Sequence, residues 1–124
     1  MPPTNRTQLG NIAERYVVQH LEQRGYEILD RNWRRKWGEL DIVAKKDGAV
    51  IFVEVKANRD ESEGFDPEVR ANREKMAKVA RTARTYLMSK KYPPEQEWQI
   101  DIISVTFDQP NKVAKIVHFK NVEV

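Results

Sequence analysis

Gly38-Glu39-Leu40-Asp41-Ile42-Val43-Ala44-Lys45-Lys46-Asp47-Gly48-Ala49-Val50-Ile51-Phe52-Val53-Glu54-Val55-Lys56 reads as two β-rich runs hinged on one dipeptide. Asp-Gly between such runs is a strong hairpin signal, because both residues accept the positive φ that a tight two-residue turn demands. The runs Glu39 to Ala44 and Ala49 to Ala57 are therefore expected to pair antiparallel. With Asp47 and Gly48 as the loop, Lys46 faces Ala49, Asp41 faces Glu54 and Glu39 faces Lys56. Facing residues share one side of the sheet with Cβ atoms about 4.5–5.5 Å apart. Glu54 and Lys56 also share that side, since side chains alternate along a strand. A four-residue loop on the same centre keeps this register, whereas a three-residue loop sends Asp41 to the other face.

Three carboxylates and one ammonium thus meet on a small patch. Two facing carboxylates repel by about 1 kcal/mol in water and about 4 kcal/mol at an effective dielectric near 20, a cost that a cation between them removes. A few oxygen-only donors suit Mg²⁺, or Mn²⁺ in its place, better than zinc. A neighbouring lysine can orient a metal-bound water and offset charge growing on a phosphate. The same four residues also read as a surface salt-bridge cluster, and spacing alone does not choose between the two.

Upstream, Leu9, Ile12, Ala13, Tyr16, Val17, His20 and Leu21 recur at helical spacing, and Gly25 stands where a left-handed C-terminal cap is expected. A short extended piece, Tyr26 to Leu29, follows, and then a basic connection, Asp30 to Gly38. In that connection Arg31, Arg34, Arg35 and Lys36 are interleaved with Trp33 and Trp37, a pattern that can grip phosphates while a ring stacks on an unpaired base. It equally describes a solvated loop whose tryptophans anchor it to the core.

Downstream, Asn58 to Pro67 is an acidic loop. Glu68 to about Lys90 reads as a helix with Met76, Ala80, Ala83 and Leu87 as its apolar stripe. Arg70, Arg73, Arg81 and Arg84 lie close to one face of it, either as a rail for phosphates or as a plain solvent side. Pro93-Pro94 stops the helix. Strands Ile100 to Phe107 and Val113 to Phe119 follow, joined by an Asp-Gln-Pro-Asn turn. The expected order is α-β-β-β-α-β-β, an α/β domain around a mixed central sheet flanked by helices.

The 124 residues contain no cysteine and two histidines, which excludes thiolate chemistry, disulfides and a two-histidine motif on one helix turn. His20 falls on the first apolar stripe and reads as a core histidine, and His118 as a packing or hydrogen-bonding one. The longest apolar run is Ala49 to Val53, far short of a membrane span. Met1 to Asn11 is polar with two prolines, unlike a secretory leader. A cytoplasmic protein of one domain, residues 1–124, is expected. The net charge of +3 matters only where the positive residues cluster.

Gly38-Glu39-Leu40-Asp41-Ile42-Val43 followed by Phe52-Val53-Glu54-Val55-Lys56 resembles the signature of the YraN-like family. These small bacterial proteins are described as predicted endonucleases, distantly similar to archaeal Holliday junction resolvases within the PD-(D/E)xK nuclease superfamily. The likeness extends over nearly the whole chain, through Leu9-Gly10, Glu14, Gly25-Tyr26, Arg31-Asn32-Trp33-Arg34, Lys75, Tyr86-Leu87 and Asp101-Ile102-Ile103. It implies a restriction-endonuclease-like core, Asp41 and Glu54 as Mg²⁺ ligands with the Val55 carbonyl as a third, and Lys56 as the catalytic lysine. Glu14 matches an acidic first-helix residue that completes such sites, Glu39 lies within the motif, and Lys75 joins the residues facing nucleic acid. The superfamily's proline is replaced by Leu40, the family's usual threonine by Ala57 and its usual glycine by Ala13.

The expectation is a Mg²⁺-dependent nuclease hydrolysing phosphodiester bonds in structured or branched DNA. Asp41, Glu54, Lys56, Glu14 and Glu39 would form its catalytic set. Arg31, Arg34, Arg35, Lys36, Trp37 and Lys75 would contact the nucleic acid. The resolvase likeness hints at a homodimer. The alternative is a nucleic-acid-binding module without turnover.

Overall fold

The computed structural model describes residues 6–59, 73–109 and 112–123. The expected helix start at Glu68, Arg70, the acidic loop beyond Arg59, and Pro110-Asn111 of the last turn lie outside these residues.

Helix α1 (Arg6–Gln23) packs on one face of the sheet with Leu9, Ala13, Val17 and Leu21 buried. It ends as its sequence dictates. Gly25 adopts φ 86°, and the Tyr26 N–H closes back on the Leu21 carbonyl at 3.0 Å, which satisfies carbonyls the helix leaves open. Lys46 adds a 2.6 Å bond from its Nζ to the Arg24 carbonyl, tying the helix end to the central hairpin.

The five strands are β1 (Glu27–Arg35), β2 (Gly38–Lys46), β3 (Ala49–Asn58), β4 (Trp98–Gln109) and β5 (Lys112–Phe119). They lie in that order across one sheet. The β2–β3 turn has Asp47 at φ 50° and Gly48 at φ 82°, the two positive values of a type I′ turn. Antiparallel pairing runs from Lys46↔Ala49 to Ile42↔Val53, the register that the Asp-Gly turn fixes. β3 and β4 are parallel, from Val50↔Trp98 to Asn58↔Thr106, and the connection between them carries α2 (Arg73–Ser89). β5 returns antiparallel to β4. The mixed α/β architecture and its element order are those expected.

One expectation is corrected. The basic segment after Leu29 is not a connection but the body of β1, paired to β2 from Glu27↔Lys45 to Arg35↔Gly38 with an irregularity between Ile28 and Asp30. An edge strand needs no alternating apolar pattern, and this one is mostly exposed, so its sequence carries little strand signal.

Two core layers sandwich the sheet. Ile42, Ile51, Val53, Ile103 and Val105 meet α1, while Leu40, Val43, Phe52, Ile100 and Ile102 meet Met76, Val79, Ala83 and Leu87 of α2. β3 buries side chains on both faces, as its continuous apolar run requires. Gly38 lets α2 come close, since a Cβ there would collide with Thr82 Oγ1. Tyr86 anchors the α2 layer. It packs edge-on against Trp33 and Phe52 at 5.2 and 5.7 Å and donates its hydroxyl to Asp30 at 2.7 Å. Among the described residues no helix is long and apolar enough to cross a membrane.

Candidate metal centre and its basic flank

The β2–β3 ladder stops at Ile42↔Val53, one step short of Asp41 and Glu54. From there the side chain of Asp41 takes over from the backbone: its Oδ2 accepts the Val55 N–H at 2.9 Å. Burial pushes the Asp41 carboxyl up to about 7, and the negative charge of Glu54 pushes the same way. The Val55 N–H and Lys75 oppose the rise, and Glu39 adds to it. The two carboxylates thus meet in a poorly solvated place where like charges are costly.

Glu54 has a partner that the strand pattern does not reveal. Lys75, near the start of α2, places Nζ 2.7 Å from Glu54 Oε1. Only 12% of the Glu54 side chain is exposed, against 55% for Lys75. Burial works against the Lys75 charge, but Glu54 above all, and Asp41 and Glu39 behind it, hold its pKa higher than usual. Lys56 stands half-buried two residues beyond Glu54 on the same face of β3, in register with Ser104.

Glu39 departs from expectation. Rather than facing Lys56, it pairs across β1–β2 with Arg34 at 3.3 Å, in an exposed setting. The reason is that the ladder with β3 has already ended, while the ladder with β1 continues to Gly38. Its charge still reaches Asp41, Glu14 and Lys75.

Glu14 reaches the site from α1. Its carboxyl is raised by burial and then by Asp41, while the Asn32 side chain, hydrogen-bonded to it, and Arg31 pull it down. Asn32 has φ 52°, a left-handed conformation that asparagine tolerates better than most residues. Asn32 stands within the Arg31-Asn32-Trp33-Arg34 motif, and no periodicity announces its contact with Glu14.

The donors are carboxylates and a backbone carbonyl, and the Asp41 carboxyl is raised by burial first and by the Glu54 charge second. That chemistry fits a hard divalent cation. Asp41 and Glu54, with the Val55 carbonyl, are the residues that would hold it. Among the described residues no group of three histidine, aspartate or glutamate side chains is gathered as a ready cage, so the described protein ligands amount to an open, partial shell.

Arg31, Arg34, Arg35, Lys36 and Trp37 are all exposed along β1 and its turn into β2. The two tryptophans divide the roles the sequence left open. Trp33 is half-buried against Tyr86 and carries the Arg35 guanidinium 3.8 Å above its ring, whereas Trp37 is 49% exposed. On α2, Arg73, Arg81 and Arg84 are exposed.

The histidines lie apart, on the α1 side of β4. His118 Nε2 is 2.7 Å from Asp101 Oδ2, and Asp101 also accepts the Gln99 side chain and the Asn121 N–H, each at 2.8 Å. Burial would raise the Asp101 carboxyl, but these bonds, that from His118 first, hold it below its ordinary value. His20 stacks edge-on to His118 at 5.8 Å, a packing contact beside the hydrogen bond that His118 makes to Asp101.

The family model described as "Uncharacterised protein family UPF0102" matches residues 13–105. A UPF0102 protein of Roseiflexus castenholzii is 35% identical over 91% of this chain and 90% of its own length. One of Caldicellulosiruptor saccharolyticus is 35% identical over 94% and 98%. A solved structure, "The structure of Pyrococcus Furiosus SfsA in complex with Ca2+", is 17% identical with a TM-score of 0.35 over 95% of this chain and 63% of that chain, too slight a likeness to bear on this chain. The chain belongs to the UPF0102 family, the YraN-like group whose motif its central hairpin carries.

Proposed function

We propose that the protein is a Mg²⁺-dependent nuclease that hydrolyses phosphodiester bonds, with Mn²⁺ able to substitute. The observation that carries this reading is the meeting of Asp41 and Glu54 across the hairpin, with the Asp41 carboxyl pushed up to about 7. Asp41, Glu54 and the Val55 carbonyl hold the cation. When bound, the cation supplies Lewis-acid polarisation of a phosphate and a lowered pKa for water. Lys56, on the same face as Glu54, orients the attacking water and offsets charge growing on the phosphate. Glu14 and Glu39 shape the negative potential around the pair, and the Asn32 bond fixes Glu14.

The exposed row Arg31, Arg34, Arg35 and Lys36 holds the phosphate backbone, with Lys75 nearer the carboxylates and Trp37 stacking on an unpaired base. Structured or branched DNA is the substrate class we propose on the strength of the family motif, and the basic flank supports a nucleic-acid partner. Cleaving both sides of a branch calls for two copies of the chain. A cytoplasmic setting, where such DNA lies, completes the reading.

The test is incubation of the protein with labelled duplex, single-stranded, flap and four-way-junction DNA, and RNA, with Mg²⁺ or Mn²⁺, beside Asp41→Ala/Lys56→Ala. Cleavage by the native chain and none by the variant is expected. Full metal-dependent cleavage by the variant would overturn the assignment. Tight binding without cleavage would favour a nucleic-acid-binding module, a reading the basic β1 flank supports by itself because it needs no metal.

A further inference from the structure

We propose that Lys75 is the resident counter-ion of the Asp41–Glu54 pair and competes with a divalent cation for it. This rests on the reading of those carboxylates as metal ligands. The Lys75 ammonium lies 2.7 Å from Glu54 Oε1, and it reaches there from a side chain 55% exposed onto a carboxylate only 12% exposed. Helix α2 thus lends the hairpin one positive charge at that oxygen. An ammonium and a hard cation seek the same carboxylate oxygens. The lysine has no rigid fork, so it leaves by turning its flexible stem, with no movement of the helix.

Two consequences distinguish this role from ordinary surface pairing. Removing the ammonium frees Glu54 for the cation, so a neutral residue at position 75 tightens metal binding. The same residue leaves Asp41 and Glu54 less well compensated when no metal is present, so the fold then gains more from metal than the native chain does. Arginine, which keeps the charge and grips a carboxylate at two points, preserves the competition.

The experiment is calorimetric titration of Mn²⁺ into the native chain, Lys75→Met, Lys75→Arg and Asp41→Asn, without nucleic acid. Lys75→Met should bind Mn²⁺ at least tenfold more tightly than the native chain and show a larger rise in Tm at the same Mn²⁺ concentration. Lys75→Arg should bind no more tightly than the native chain, and Asp41→Asn should lose binding. Native or weaker affinity in Lys75→Met, with binding lost in Asp41→Asn, would overturn the counter-ion role and leave the metal site standing. Mn²⁺ binding that Asp41→Asn does not alter, or none in the native chain, would remove the metal site and the counter-ion role together. Circular dichroism checks each variant, and Lys75→Gln is judged by the same criterion should Lys75→Met fail to fold.

Discussion

Asp41 accepts the Val55 N–H at 2.9 Å, so a carboxylate at the candidate metal centre also replaces a ladder bond at the point where β2 and β3 part. The two roles pull in opposite directions. As an acceptor Asp41 continues the sheet, but as a poorly solvated, half-buried anion beside Glu54 it destabilises the fold.

Asp41→Asn should therefore stabilise the metal-free protein at neutral pH. A carboxyl whose folded pKa is raised binds its proton more tightly in the fold. Its ionisation costs stability progressively as pH rises from 3.8 to about 7. Asparagine keeps an acceptor oxygen and does not ionise. Urea unfolding without metal should show the variant more stable by up to about 4 kcal/mol at pH 8 and nearly equal to the native chain at pH 4. A gain that is the same at both pH values would contradict the assigned charge repulsion.

The Asp101 network should set the acid limit of the fold. A lowered carboxyl contributes stability that is present above its ordinary pKa of 3.8 and disappears as pH falls through the folded value. His118→Ala removes the first of its stabilising bonds, and the expected cost at neutral pH is about 2–3 kcal/mol. Acid unfolding monitored by circular dichroism should move to higher pH in this variant, and an unchanged midpoint would mean that the remaining donors suffice.

Gly38 and Thr82 should behave as a coupled pair. Gly38→Ala pushes a Cβ into Thr82 Oγ1, with an expected cost of about 1–3 kcal/mol from overpacking. Thr82→Ala removes the offending oxygen, so the double variant should recover part of that loss. Thermal melts of the four chains measure the coupling directly, and strict additivity would show that α2 simply shifts away.

The two tryptophans of the basic flank should separate binding from folding. Trp33→Ala empties a place against Tyr86 and should cost about 2–3 kcal/mol of stability. Trp37→Ala alters a side chain 49% exposed and should change stability by less than about 0.5 kcal/mol. On a gapped or single-stranded oligonucleotide the Trp37 variant should lose about 1–3 kcal/mol of affinity, and equal affinities would remove stacking from its role.

The hairpin was readable because its cause is local: Asp47 and Gly48 can adopt positive φ together, and that single turn fixes the register from Ile42↔Val53 inward. Extending the same register outward to Glu39 and Lys56 failed, because strands that part company obey their other neighbours. Glu39 went to Arg34 of β1. The body of β1 was missed because an edge strand dense in arginine carries no alternation. Lys75, Glu14 and Asn32 were singled out only by the family motif, and nothing in their spacing announced the Lys75–Glu54 and Asn32–Glu14 contacts, which depend on where α2 and α1 come to rest on the sheet.

The Asp41–Val55 bond joins residues only fourteen apart in the chain, whereas Lys75 arrives only with the crossover helix. Closing so short a loop costs little entropy and takes place within microseconds, on the timescale of hairpin formation. Bringing the two acidic residues together needs no other element, whereas the Lys75 contact needs α2 docked on the sheet. The acidic pair therefore depends on a short-range contact within the hairpin, while the charge balance at Glu54 depends on a long-range one with α2.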